Sequence, residues 1–187
     1  MNTLKTTAII AFATFTASVE AQEQTVSTSE SKVVWKGYKV AGSHEGTIKI
    51  ESGTLQFNGE QLTGGEFVMD MTSINTTDLE GEYKDQLDGH LKSDDFFGVE
   101  NHPTAKLVFT KVTPSGKNAY DVQGSLTIKG ITNPISFTLS VYGSKATVNL
   151  KIDRSQYNVR YGSKSFFNNL KDKAIYDEFD IVADLQF

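Results

Sequence analysis

The chain has 187 residues, 38% of them hydrophobic and 22% charged, with a net charge of -5 and no cysteine. Such a length predicts one domain with a core large enough to need no staples, and the composition is too apolar for a disordered chain. An acidic surface excludes partners gripped through phosphates or anionic lipids, and the missing cysteines exclude a lipoprotein anchor, a disulfide framework and thiol chemistry.

Residues 1–21 read as a secretory signal. Lys5 supplies the positive start, Ala8 to Ala17 a modest apolar run, and Val19-Glu20-Ala21 a small-x-small cleavage site. The apolar run is too short to span a bilayer. The mature chain is therefore expected to begin at Gln22 and to be soluble, unanchored and periplasmic or secreted. Residues 22–31 form a polar leader, with Ser27 to Ser31 expected to fray, and residues 32–187 form the domain.

Val33 to Tyr38 predicts a first strand with Trp35 inward, because Lys32 and Lys36 then share the outer face. Ala41 to Gly46 reads as a turn. From Thr47 to Phe57, Ile48 and Ile50 share one phase and Leu55 and Phe57 the other. One extra residue near Ser52-Gly53 restores the phase, which is the mark of a β-bulge. Asn58-Gly59 is a hairpin turn, and Gly64 to Met71 follows with Phe67, Met69 and Met71 on one face. Leu79, Tyr83, Leu87 and Leu91 then recur every four residues, predicting a short helix over Glu80 to Lys92.

Strand periodicity returns at Ala105 to Thr113. Tyr120 to Ile128 and Ile135 to Val141 make a long amphipathic hairpin, with Lys129-Gly130 and Thr132-Asn133 supplying turn residues and Pro134 at the start of the second arm. Ala146 to Ile152 alternates, Arg154 to Ala174 is irregular, and Phe179 to Phe187 alternates again. About eight antiparallel strands, each with one apolar face, predict an all-β protein. We read it as an eight-stranded lipocalin-like barrel with one short helix near its mouth, in preference to a β-sandwich.

No catalytic arrangement emerges. There is no Gly-x-Ser-x-Gly elbow and no phosphate-type glycine loop. Ser29-Glu-Ser-Lys32 matches Ser-x-x-Lys only within the polar leader. His44, His90 and His102 lie on separate segments, so no metal site or cofactor is expected. Phe96-Phe97 and Phe166-Phe167 are adjacent pairs in irregular segments. Both members of such a pair can turn inward over an open barrel end, either plugging it or lining an apolar mouth.

Trp35, Gly42-Ser-His-Glu-Gly46, Leu91-Lys-Ser-Asp-Asp-Phe-Phe97 with His102-Pro103, Gly124-Ser-Leu-Thr-Ile-Lys-Gly130 and Asp153-Arg154 together resemble the YceI-like family of exported bacterial proteins. The resemblance runs from about Lys32 to the C-terminus. It implies a lipocalin-like barrel with a helix by its mouth, and a long hydrophobic lumen for polyisoprenoids or similar amphipathic lipids. It carries over no catalytic residue.

The resulting expectation is a binding or carrier protein, not an enzyme. Lumen and mouth are assigned to Trp35, Phe67, Met69, Phe96, Phe97, Leu107, Phe109, Leu126, Ile128, Phe137, Leu139, Tyr161, Phe166 and Phe167, with His44 and Arg154 as head-group candidates. The expected partner is a long-chain isoprenoid or other apolar lipid. Nucleic acid and a membrane span are not expected, and a homodimer is left open. Two alternatives stand beside this reading: a haem- or redox-cofactor partner using the histidines, and a filled barrel acting as a stress or interaction module.

Overall fold

The computed structural model describes residues 21–187. The expected signal segment lies, but for Ala21, outside the described residues. In chain order the elements are β1 (Ala21–Thr25), β2 (Lys32–Lys39), β3 (Gly42–Asn58), β4 (Gln61–Thr76), α1 (Gly81–Lys92), β5 (Thr104–Pro114), β6 (Ala119–Ile128), β7 (Ile131–Tyr142), β8 (Lys145–Asp153) and β9 (Glu178–Gln186). Every ladder is antiparallel.

The strand order β3-β2-β9-β8-β7-β6-β5-β4, with β4 pairing back onto β3, closes the sheet on itself. This is the expected eight-stranded antiparallel barrel. The ninth strand adds no place to the ring. β2 pairs with Gly42–Thr47 of β3, and β1 pairs with Thr54–Asn58 further along the same edge. Two short strands thus share one position beside a long one.

That arrangement corrects the reading of residues 22–31 as a leader outside the domain. β1 lies in register on β3, with Gln22 opposite Phe57 and Thr25 opposite Thr54. Val26 is buried and its N–H donates to the Gly53 carbonyl at 2.9 Å, while the Ser27 N–H reaches the Gln186 carbonyl at 2.7 Å. Polar composition hid this strand because its binding is carried by backbone groups, which every residue has.

The bulge lies one residue before the expected Ser52-Gly53 pair. Ile50 pairs with Met69 and Ser52 with Val68, leaving Glu51 extra, so Ile50, Leu55 and Phe57 all point inward and are buried. Two turns differ from expectation. His44 lies in β3, which starts at Gly42, so only Val40-Ala41 turns. The β6–β7 hairpin turns on Lys129-Gly130 alone, both at positive φ (52° and 74°), and Thr132, Asn133 and Pro134 belong to β7. Two residues in the left-handed region make the tight turn whose twist matches that of the strands.

The interior has two apolar clusters. One fills the end where β1 enters, around Leu55, Leu62, Val122, Leu139 and Leu185. The other sits at the α1 end, around Met71, Ile74, Leu91, Phe96, Leu126, Ile128 and Tyr157. The helix packs on β4, buries only Leu91 and leaves Tyr83 at 75% exposure. Asp88 fixes it by accepting the Thr76 N–H at 2.8 Å and pairing with Lys84. No helix among the described residues is long and apolar enough to cross a membrane.

Candidate functional site

Between the two clusters the barrel is hollow. The cavity holds about 200 Å³. A water molecule's share of the liquid is about 30 Å³, so this is room for a guest and not a packing defect. Its wall is made by the inward positions of eight strands, with Val33 and Trp35 from β2. Ile48 and Ile50 come from β3, Phe67, Met69 and Met71 from β4, Leu107 and Phe109 from β5, and Leu126 and Ile128 from β6. β7 adds Ile135, Phe137 and Leu139, β8 adds Val148, Leu150 and Ile152, and β9 adds Phe179, Ile181 and Leu185. Strand alternation alone produces this: one face of each strand is apolar, and closure turns all those faces to a common axis.

The floor is dense. Leu55, Leu62, Val122 and Leu139 are at most 1% exposed. The roof is aromatic. Phe97 stands edge-on to Phe96 at 5.0 Å and to Phe179 at 6.4 Å, and Leu91 and Ile175 complete the cover. Trp35 of β2 lines the cavity beside Ile48, and its Nε1–H is buried with no acceptor.

Arg154 borders the cavity beside the roof. It is 2% exposed, and its guanidinium lies 5.2 Å from the Phe96 ring. Nε donates to the Tyr176 carbonyl at 3.1 Å, Nη1 to those of Val159 and Tyr161 at 3.0 and 2.9 Å, and Nη2 to that of Ile175 at 3.2 Å. Asp177 stands 3.4 Å from Nη2. Burial pulls the guanidinium pKa down, against the opposing pull of Asp177 and Asp153. With four of its five N–H donors committed to carbonyls, Arg154 is the clamp of the loop over residues 158–177.

The other head-group candidate, His44, does not border the cavity, whereas Arg154 does. His44 donates from Nδ1 to Asp78 Oδ2 at 3.0 Å, past the barrel rim. Burial would raise the Asp78 pKa, but this bond and the Glu45 N–H outweigh it and hold the carboxyl below its ordinary value. Tyr161, Phe166 and Phe167 do not line the cavity either. Tyr161 and Phe167 are about half exposed, at 49% and 48%, and Phe166 lies under the Arg160 guanidinium at 4.6 Å. The loop's inward positions are taken by Val159, Ser163 and Ala174, each 0% exposed, which turns the rings outward. His90 sits above the roof, 4.3 Å from Tyr161, and none of the three histidines borders the cavity.

The remaining expected residues, Trp35, Phe67, Met69, Phe96, Phe97, Leu107, Phe109, Leu126, Ile128, Phe137 and Leu139, all border it. Sequence reasoning missed Ile74, Ile135, Ile152, Ile175 and Phe179 as lining. Most were in phase with assigned neighbours, so alternation carried to the strand ends would have found them.

Residues 24–187 match the family model described as the YceI-like domain. A UPF0312 protein of Pseudomonas putida (strain W619) is 31% identical over 98 residues, which is 52% of this chain and 49% of that protein. One from Pseudomonas syringae pv. tomato is 33% identical over 90 residues, 48% of this chain and 45% of that protein. The chain thus spans about half the length of the curated relatives it matches. Among solved structures, Burkholderia cenocepacia BcnA superposes with a TM-score of 0.69 at 24% identity, covering 86% of this chain and 98% of that one. A polyisoprenoid binding domain from Saccharophagus degradans, implicated in plant cell wall breakdown, superposes with a TM-score of 0.59 at 15% identity, covering 86% and 95%. At these identities the two structures speak for the fold.

Proposed function

We propose that this chain, which belongs to the YceI-like family, is a carrier that holds the apolar chain of an isoprenoid or similar amphipathic lipid inside its barrel. The observation that carries the reading is the hollow itself: a closed β-wall whose inward side chains are apolar and leave about 200 Å³ unfilled. A barrel built only for stability would close that space, since unfilled volume costs about 24 cal/mol per Å³.

The energetics favour a long guest. Each buried methylene contributes about 0.8 kcal/mol, and association costs about 4–15 kcal/mol. A chain of about ten carbons therefore only offsets the lower part of that cost, while about twenty carbons exceed it. The S. degradans neighbour, named for polyisoprenoid binding, supports an isoprenoid over a straight acyl chain. An exported, periplasmic or secreted, location fits the signal pattern of residues 1–21. The reading assigns no catalytic residue.

The test is mass spectrometry of the organic extract of natively purified protein, followed by titration of the delipidated protein with geranylgeraniol. A stoichiometric isoprenoid or long-chain lipid in the extract is expected. Protein that yields none and does not bind geranylgeraniol would overturn the reading.

A further inference from the structure

The barrel wall is split in two places. β6 and β7 pair along their whole length, from Ala119 opposite Ser140 to Ile128 opposite Ile131. β7 and β8 pair only where Leu139–Tyr142 meets Lys145–Val148. Beyond that point residues 131–138 of β7 and 149–153 of β8 face each other with no ladder between them, while β8 stays paired to β9 as far as Asp153. The second split is at the opposite end, where β4 and β5 pair only over Glu66–Asp70 and Thr104–Val108.

The two splits differ in what stands behind them. Behind β4–β5 lie Leu55 and Leu62, at 0% and 1% exposure, and Phe109, whose ring sits so close to Gly65 that a Cβ there would be 2.8 Å from it. That split is plugged. Behind β7–β8 lies the cavity. Ile135 and Phe137 on one side and Leu150 on the other border the hollow and are only partly buried.

The β7 edge is suited to staying open. The ladder to β6 runs unbroken through Pro134, paired with Ser125, so the missing N–H of the proline falls on the side toward β8. One side-chain bond crosses the split near its end: Asn133 Nδ2 donates to the Gln156 carbonyl at 2.9 Å. The α1 end is shut by the Phe96, Phe97 and Phe179 rings, and the loop beside them is held by the Arg154 clamp.

We infer that the split between β7 and β8 is the doorway of the cavity, and that the polar end of an amphipathic guest stays there. Unpaired strand edges present N–H and C=O groups that must find a partner. A hydroxyl or phosphate-bearing end offers one, while the lining behind the edges accepts only hydrocarbon. The inference rests on the carrier reading and adds to it a side-on geometry: the chain lies within the barrel and its polar end emerges through the wall.

The test seals the split. Ser136 and Asn149 are exposed, on opposite sides of it, and the chain has no cysteine of its own. The Ser136→Cys/Asn149→Cys variant is joined with bismaleimidoethane. As a control, Thr127→Cys/Thr132→Cys is joined across the paired β6–β7 ladder, where the two hydroxyls are 2.8 Å apart. Trp35 is the only tryptophan and lines the cavity, so its fluorescence reports loading of geranylgeraniol in a stopped-flow mixer.

Sealing the split is expected to slow loading about tenfold or more. The unjoined variant and the joined control should load like the parent protein. Asn133→Ala, which removes the bond to Gln156, should speed exchange severalfold. Loading of the sealed protein at the parental rate would overturn the doorway while leaving the carrier reading intact. A parent protein that takes up no geranylgeraniol would remove both.

Discussion

The indole of Trp35 packs against the bare Cα of Gly46, its partner across the β2–β3 ladder. A Cβ at Gly46 would stand 2.6 Å from Cζ2 of that ring and 2.0 Å from the Asn75 carbonyl oxygen. Glycine therefore lets β3 approach both the indole and the end of β4. Gly46→Ala is expected to cost about 1–3 kcal/mol by forcing the ring and backbone apart, read as a lower urea midpoint. Gly89→Ala in α1 provides the opposite sign. A Cβ there meets nothing within 4 Å, so the better helix former should stabilise by about 0.5–1 kcal/mol.

Arg154 gives a second prediction. Arg154→Met leaves four carbonyls, buried or partly buried, without their donor and frees the loop over residues 158–177. We expect a loss of about 3–5 kcal/mol and faster amide exchange at Ile175, whose N–H bonds to the Gly162 carbonyl. Arg154→Lys should rescue little, because an ammonium cannot fork to the same four oxygens. Full rescue by lysine would mean that charge alone matters.

The floor and roof of the cavity should respond differently to substitution. Leu139 is 1% exposed, so Leu139→Ala should cost about 2–5 kcal/mol of stability, measured by chemical denaturation. Phe97 borders the hollow from a loop. Phe97→Ser should spare most of the stability and weaken geranylgeraniol uptake, measured by titration. Unchanged uptake would remove Phe97 from the binding surface.

Acid stability should trace to Asp180 on the outer wall. Hydrogen bonds from Lys151 Nζ, at 2.8 Å, and from the Tyr38 hydroxyl hold its carboxyl below the ordinary 3.8. A carboxylate whose pKa is depressed on folding stabilises fully above its unfolded value and loses that contribution as pH falls through the folded one. The Tm gap between the parent protein and Asp180→Asn should therefore be widest near neutral pH and close below pH 3.8. A gap that widened in acid would reverse the sign.

Alternation along each strand, with the odd phase near Ser52-Gly53, determined by itself that the chain has amphipathic strands able to close a wall. It also determined which side chains face the axis, because side-chain direction in a strand depends only on position parity. Phe67, Leu107 and Leu126 were legible on that ground. The irregular segments were not. Tyr161, Phe166 and Phe167 looked apt for a mouth, yet their direction follows from which loop residues Arg154 pulls inward, and that is set by contacts distant in the chain. The leader was missed for the same reason: β1 is held by the backbone of β3, and backbone bonding leaves no trace in residue type. Whether the interior was filled or hollow, and that β7 and β8 part beside the cavity, depended on the diameter and register of the closed sheet. Only the folded chain sets those, since the length of a ladder depends on how two strands diverge in space.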